Sequence, residues 1–394
     1  MKIRLDPIGR STSLALDVAR FVAALLVLLH HAAFAKFGGV LPWRLSQTGT
    51  EPVVAFFVLS GFVIAYAAET RDPDARAFAL SRLARLLSVT LPALLLTAAL
   101  DHLGANIFPA LYADPWRDAA TQANLAVAPA ARFAAAGLFL NEIWAWNLWP
   151  GSDAPFWSLG YEAIYYVIFA CAYYGHTARA RGLGVALVCL VAGPKILLLA
   201  PVWFTGVGAW GVYKRISLST VAGALAVTAA ITAYVVFIAS GARAALDGWS
   251  EALLAGAPAG LIGMSNHFPS NFVSGVLFAV AIVSFKGLER ALSPALEAAA
   301  RPIRAAAACS FSMYLFHAPL IHFFRAVAFL VGGEDLTTRS WRVAAIVLFG
   351  TLASIVALAR ITEARKGEVR ALLAAALDSL RPPRLGGASR PKLS

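Results

Sequence analysis

Long apolar runs broken by short clusters of basic, Gly and Pro residues dominate this chain. A helix needs about 20 mainly apolar residues to cross a hydrocarbon core of roughly 30 Å, and ten runs meet or approach that length. They lie near residues 14–34, 52–69, 83–101, 156–175, 182–199, 200–213, 218–239, 270–286, 304–330 and 341–362. The sixth is short, and the break before it is placed at Pro201. A Gly- and Pro-rich apolar piece at 251–264 is too short to span and reads as re-entrant or interfacial. After the last run, Val369, Leu372, Leu373, Ala376, Leu377 and Leu380 recur at helical spacing beside Arg365, Lys366 and Arg370, which suits a helix lying on a membrane surface. The pattern predicts an all-α polytopic membrane protein of about ten transmembrane helices. Its parts are an N-terminal segment 1–13, a membrane domain 14–362, an amphipathic interfacial helix 363–380 and a disordered basic tail 381–394.

Composition agrees with the pattern. Of the 394 residues 60% are hydrophobic and 14% charged, against about 25% charged in a soluble domain, so a water-soluble fold is excluded. The net charge of +12 would suggest a polyanion as partner in a soluble protein. Here its distribution gives a simpler account. With the N-terminus taken as cytoplasmic, 23 of the 33 Lys and Arg fall on cytoplasmic loops and ends, as orientation by the positive-inside rule requires. Both termini are predicted inside, as in an inner-membrane protein, and no nucleic acid is expected as partner. Cys171, Cys189 and Cys309 sit in apolar runs with no paired spacing, so neither a disulfide framework nor a metal site is indicated. Arg20, His30 and His31 interrupt the first apolar run, which is therefore a retained helix and not a signal peptide. The longest stretch between runs, 102–155, holds Trp116, Trp144, Trp146 and Trp149. These can stack on a sugar or anchor at the membrane interface, and anchoring is the simpler reading.

Ionisable residues inside a span are costly and each is a functional hypothesis. Asp17, Arg20 and His31 share one face of the first run, because offsets of 3 and 11 residues return close to the starting direction at about 100° per residue. At about 1.5 Å per residue, Arg20 and His31 stand about 16 Å apart along the axis. That arrangement suits a long substrate with an anionic end near Arg20 and a reactive end near His31, a form that acyl-coenzyme A has. Asp17 and Arg20 also fit a plain ion pair three residues apart, with His31 bonding a neighbouring helix. His30 points away from the shared face and reads as a packing residue.

Further segments extend this reading. The second run contains FFVLSGFVI (Phe56 to Ile64) and is followed by RLARLLS (Arg82 to Ser88); the fourth opens with FWSLGYEAIYY (Phe156 to Tyr166); the ninth carries SFSMYLFH (Ser310 to His317). With Arg20 and, eleven residues on, His31, their order resembles the acyltransferase-3 family of integral-membrane acyltransferases, which modify bacterial surface sugars and other acceptors. The resemblance runs from about 14 to 362.

It implies that His31 is the essential catalytic histidine, with Arg20 its motif partner and Glu162 the acidic residue of the Trp-Ser-Leu-x-x-Glu segment opened by Trp157. Asp17, Ser60, Arg82, Arg85, Trp157, Ser310, Tyr314 and His317 are the substrate-binding candidates. Two positions depart from the family's pattern: Ser88 where many members have Pro, and Val54 where many have Asp. The chemistry is compatible on its own terms. A neutral imidazole can take the proton of a sugar hydroxyl as it attacks a thioester; Glu162 lies at a depth that could meet and orient His31; and Arg82 with Arg85 could hold the coenzyme's phosphates or simply orient the protein. His317 fits a structural hydrogen bond as well as catalysis, and Ser60 beside Gly61 reads as a close helix contact more readily than as a nucleophile. The expected donor is acyl-coenzyme A, most simply acetyl-coenzyme A, with no bound cofactor. The expected acceptor is a hydroxyl of a cell-envelope glycan or glycolipid, with membrane lipids around the protein; no feature points to a homo-oligomer. A transporter of a polar or anionic solute is the alternative, and a scaffold for glycan assembly a third.

Overall fold

A computed structural model describes residues 8–33, 49–113, 126–332 and 340–379, and it is helical throughout. Among the described residues, ten helices have fifteen residues or more. They are α1 (Arg10–Ala32), α2 (Thr50–Thr70), α3 (Ala75–Ile107), α4 (Trp157–Tyr174), α5 (Ala178–Ala192), α6 (Pro194–Tyr213), α7 (Thr220–Ala239), α8 (Phe268–Ala298), α9 (Ser310–Gly332) and α10 (Trp341–Ile361). Eight of them are long and apolar enough to cross a membrane. The two that fall short of the expected ten are α4, whose Trp157, Glu162 and five Tyr lower its hydropathy, and α5, which at about 1.5 Å per residue is about 22 Å long.

The expected break at Pro201 is corrected. Pro201 lies inside α6, and the chain breaks at Gly193, whose φ of +81° favours a residue without a side chain, just before Pro194 opens the next helix. The piece at 251–264 forms the end of a short helix (Ala242–Leu253) and two single turns that lead into α8. The amphipathic segment forms a helix, Lys366–Ser379, which packs on α3 and is tied to it by an Arg76–Asp378 ion pair of 2.7 Å. The predicted tail 381–394, Trp116 and the chain's first seven residues lie outside the described residues.

Close helix contacts set the frame of the bundle. A Cβ at Gly61 of α2 would collide with the Trp203 carbonyl of α6, and one at Gly206 of α6 with the Val58 carbonyl of α2. The packing role expected of Gly61 is thus met by a near backbone-to-backbone approach. The other elements that build the site are α1 and α9, which pack directly on each other, and α4, which lays its first turns beside them. Helix α7 is almost wholly exposed and turns its apolar surface outward, as a lipid-facing helix does.

Candidate functional site

Two chambers meet near the middle of α1. The first, narrow at about 40 Å³, lies at the Arg20 end and is lined by Arg20, Ser60, Arg85, Glu162 and Ser310 among others. The second, about 460 Å³, lies at the His31 end and carries His30, His31, Trp149, Trp157, Asn266 and Asn271. Val53, Phe57 and Tyr314 line both and form the throat between them.

At the Arg20 end, Arg20 is three residues from Asp17 and pairs with it at 3.4 Å. Arg82 and Arg85, one turn apart on α3, have different surroundings. Arg82 is held by Asp72 at 2.9 Å and lies over the Phe78 ring, whereas Arg85 forms no ion pair among the described residues and edges the chamber over Phe311. Ser88, where many relatives of this pattern have Pro, leaves α3 continuous and donates back to the Arg85 carbonyl at 3.1 Å. Glu162 accepts from Ser60 Oγ and from Tyr166, each at 2.5 Å, while Trp203 Nε1 donates to Ser60 Oγ at 3.2 Å. Glu162 therefore sits in this first chamber. Ser310 Oγ donates to the Ala307 carbonyl.

The neighbour of His31 is His317. Its Nε2 is 3.0 Å from His31 Nδ1, with ring centroids 4.9 Å apart. Hydrogen-bond partners assign the protons. His317 Nδ1 faces two carbonyls, Tyr314 at 2.7 Å and Met313 at 3.1 Å, and carbonyls only accept, so this nitrogen carries a hydrogen. In the neutral ring Nε2 is then an acceptor. His31 Nδ1 also faces a carbonyl, Val27 at 2.9 Å, so it too is protonated and donates toward His317 as well. The lone pair of neutral His31 is left on Nε2. One turn before His317, the Tyr314 hydroxyl bonds Ser158 Oγ at 2.6 Å and donates to the Pro155 carbonyl at 3.1 Å, which fixes the throat to the start of α4. Trp157 is buried edge-on against Phe57 and Tyr161. His30 packs its ring against Gly49, where a Cβ would collide with it, and also faces the second chamber.

This order of groups, with Arg20 and His31 on α1, Ser60 on α2, Glu162 on α4 and His317 on α9, agrees with a whole-domain match. Residues 13–360 match the model of the acyltransferase domain of the acyltransferase-3 family. The chain belongs to this family. As an acyltransferase-3 protein it is a multi-pass membrane acyltransferase, and membership implies an acyl donor and an acceptor. No match was found among curated proteins or among solved structures.

The structure also supplies residues that sequence reading passed over. Lys195 and Glu142 are both fully buried and paired at 2.8 Å. Lys195 Nζ also donates to Asn147 Oδ1 at 2.7 Å and to the Trp146 carbonyl, and Trp149 Nε1 donates to Glu142 at 3.0 Å. Burial pushes the Glu142 carboxyl up to about 7, against the pull of the Lys195 ammonium. The clasp holds the 138–156 segment over the second chamber. Trp149 is therefore a buried wall of that chamber, not an interface anchor, whereas Trp144 and Trp146 are exposed. Asp153, fully buried in the same segment, has no hydrogen-bond partner on either carboxylate oxygen among the described residues, and burial, reinforced by Asp101, raises its carboxyl well above the usual range. No group of three or more metal-ligating side chains occurs among the described residues.

Proposed function

We propose that this acyltransferase moves a small acyl group, most simply acetyl, from cytoplasmic acyl-coenzyme A to a hydroxyl of a cell-envelope glycan or glycolipid, in the inner membrane of a bacterium. One observation carries the reading: the His31–His317 pair stands beside the throat joining a narrow chamber edged with arginine to a roomier one edged with Trp, Asn and His. Arg85, without an ion pair, and Arg20, weakly paired, suit the coenzyme's phosphates. Arg82, tied to Asp72, adds charge and holds this end in shape. The tight volume of the first chamber favours a short acyl group passing Tyr314, Phe57 and Val53. Ser60, Glu162, Asp17 and Ser310 line or support that path, and Trp157 with Tyr314 shapes the point of transfer.

The hydroxyl oxygen attacks the thioester carbonyl carbon while His31 Nε2 takes its proton. The C–S bond then breaks, and the imidazolium returns the proton to the departing thiolate sulfur. Throughout, His317 accepts from His31 Nδ1–H, keeping the reactive nitrogen turned outward and the ring in one tautomer.

The test uses the full chain in lipid nanodiscs with acetyl-coenzyme A and an envelope glycolipid extract. Free coenzyme thiol should appear only when acceptor is present, and His31→Ala should abolish it. Wild-type turnover in His31→Ala, or passage of an unmodified solute without acyl transfer, would overturn the proposal.

A further inference from the structure

A third cavity, larger than either chamber, lies apart from them. It is an apolar groove of about 770 Å³ between α1, α2, α7 and α8, large on the scale of small-molecule sites of about 300–1,000 Å³. Helix α7 forms one bank, so the groove opens on the surface that faces lipid. Its other bank is shared. Helices α1, α2 and α8 each turn one side to the groove and another to the second chamber, and Val54 of α2 lines both.

Polar groups occur where the two spaces adjoin. On α8, Ser274 lines the groove and Asn271, one turn earlier, lines the chamber; both are at least nine-tenths buried, and among the described residues Ser274 Oγ and Asn271 Oδ1 have no hydrogen-bond partner. Buried polar atoms left this way are costly unless something satisfies them. At the same level Glu51, which lines the groove, forms an ion pair with Arg243, itself 3.6 Å from Asp247, while the adjacent Thr50 lines the chamber. A ligand that fits all of this has a hydrocarbon chain in the groove, polar atoms at its neck beside Ser274 and Asn271, and a hydroxyl-bearing head in the chamber with His31.

We propose that the groove binds the hydrocarbon chain of a glycolipid whose head group presents the acceptor hydroxyl to the second chamber. The role of the head rests on the acyl-transfer reading above; the seat for the chain does not. Such an acceptor enters sideways from the bilayer, and the protein needs no soluble glycan to find the chamber from water.

The experiment photolabels the full chain in nanodiscs with an alkyl glycoside bearing a diazirine in its chain, and with a diazirine-bearing fatty alcohol as the headless control. Glycoside label is expected on the groove faces of α7 and α8, reduced about tenfold by Ser274→Leu and by Ala281→Phe, a change of about 1.4 kcal/mol. Should either filled variant fail to extract as a folded protein, Ala230→Leu on the opposite bank takes its place. Label spread evenly over the lipid-facing helices, labelling of the filled variants at the wild-type level, or equal labelling by the fatty alcohol would each overturn the proposal. Groove labelling without any thiol release from glycolipids sinks the transfer reading and leaves the groove site standing. Thiol release without groove labelling does the reverse.

Discussion

Two buried polar clusters lie within the same half of the bundle and are built on opposite terms. In the Lys195–Glu142 clasp the ammonium has three partners, Glu142, Asn147 and the Trp146 carbonyl, and Glu142 is further bonded by Trp149. Each of the two charges has its counter-charge inside the protein. The His31–His317 pair is anchored by the Val27, Met313 and Tyr314 carbonyls, and both rings lie at the edge of the second chamber or its throat. The contrast is one of surroundings: a buried charge paired inside the protein fixes a segment in place, whereas the neutral histidine pair borders open space where the proposed reaction would run.

The largest way to test that contrast is His31→Ala, which should lower acceptor-dependent thiol release by about 10²–10⁴-fold, the usual span for a general base, while leaving the melting temperature in detergent near wild type. Lys195→Met should do the opposite. Removing one partner of a buried pair costs about 3–5 kcal/mol, read as a lowered melting midpoint, with residual turnover in whatever fraction stays folded. That loss should be smaller at pH 6 than at pH 8. Without the ammonium, the folded-state carboxyl of Glu142 rises further above its unfolded value, so the folded protein holds a proton the unfolded chain has lost, and stability falls as pH climbs through that window.

In the proposed mechanism His317 lies between these cases as a positioning residue. His317→Leu is expected to cut kcat by about 10- to 100-fold, the range seen when a histidine loses its orienting partner at metal centres, with the donor KM unchanged. His317→Gln should recover part of the rate, because its amide oxygen still accepts from His31 Nδ1–H. Arg85→Gln is expected to raise the donor KM about tenfold, in keeping with about 1.5–3 kcal/mol for a hydrogen bond to a charged group, and to leave kcat alone. The smallest effect belongs to Asp153→Asn. With its carboxyl held in the acid form, the amide is a near replacement, and stability should change by less than about 1 kcal/mol in thermal unfolding.

Much of the site could be read from the chain because its residues sit at fixed offsets on single helices. Arg20 and His31 share a face of α1, and Ser310, Tyr314 and His317 follow one another along α9. What could not be read was contact between helices. His31 and His317 are 286 residues apart, and nothing local says that one orients the other. Glu162 has a depth that allowed a partnership with His31, yet the approach of α2 gives it to Ser60, and its own helix gives it Tyr166 one turn on. Lys195 follows Gly193 and Pro194 at a span's edge, where a lysine serves orientation as a rule; only the fold of the 138–156 segment brings Glu142 to it. The misplaced break at Pro201 has a local cause, since a proline inside a membrane helix is tolerated where neighbouring helices pack around it.

The glycines at 61 and 206 have a mechanical consequence. At Gly61 and Gly206 α2 and α6 meet almost backbone to backbone, so at that crossing no side chain lies between them to absorb a shift, and the two should move as one stiff plate. Since α2 contributes to the throat, to both chambers and to the groove, that plate is the fixed jaw of the enzyme. Any widening that admits a bulky head group must come from the other side, by displacement of α1, α7 or the loop segments.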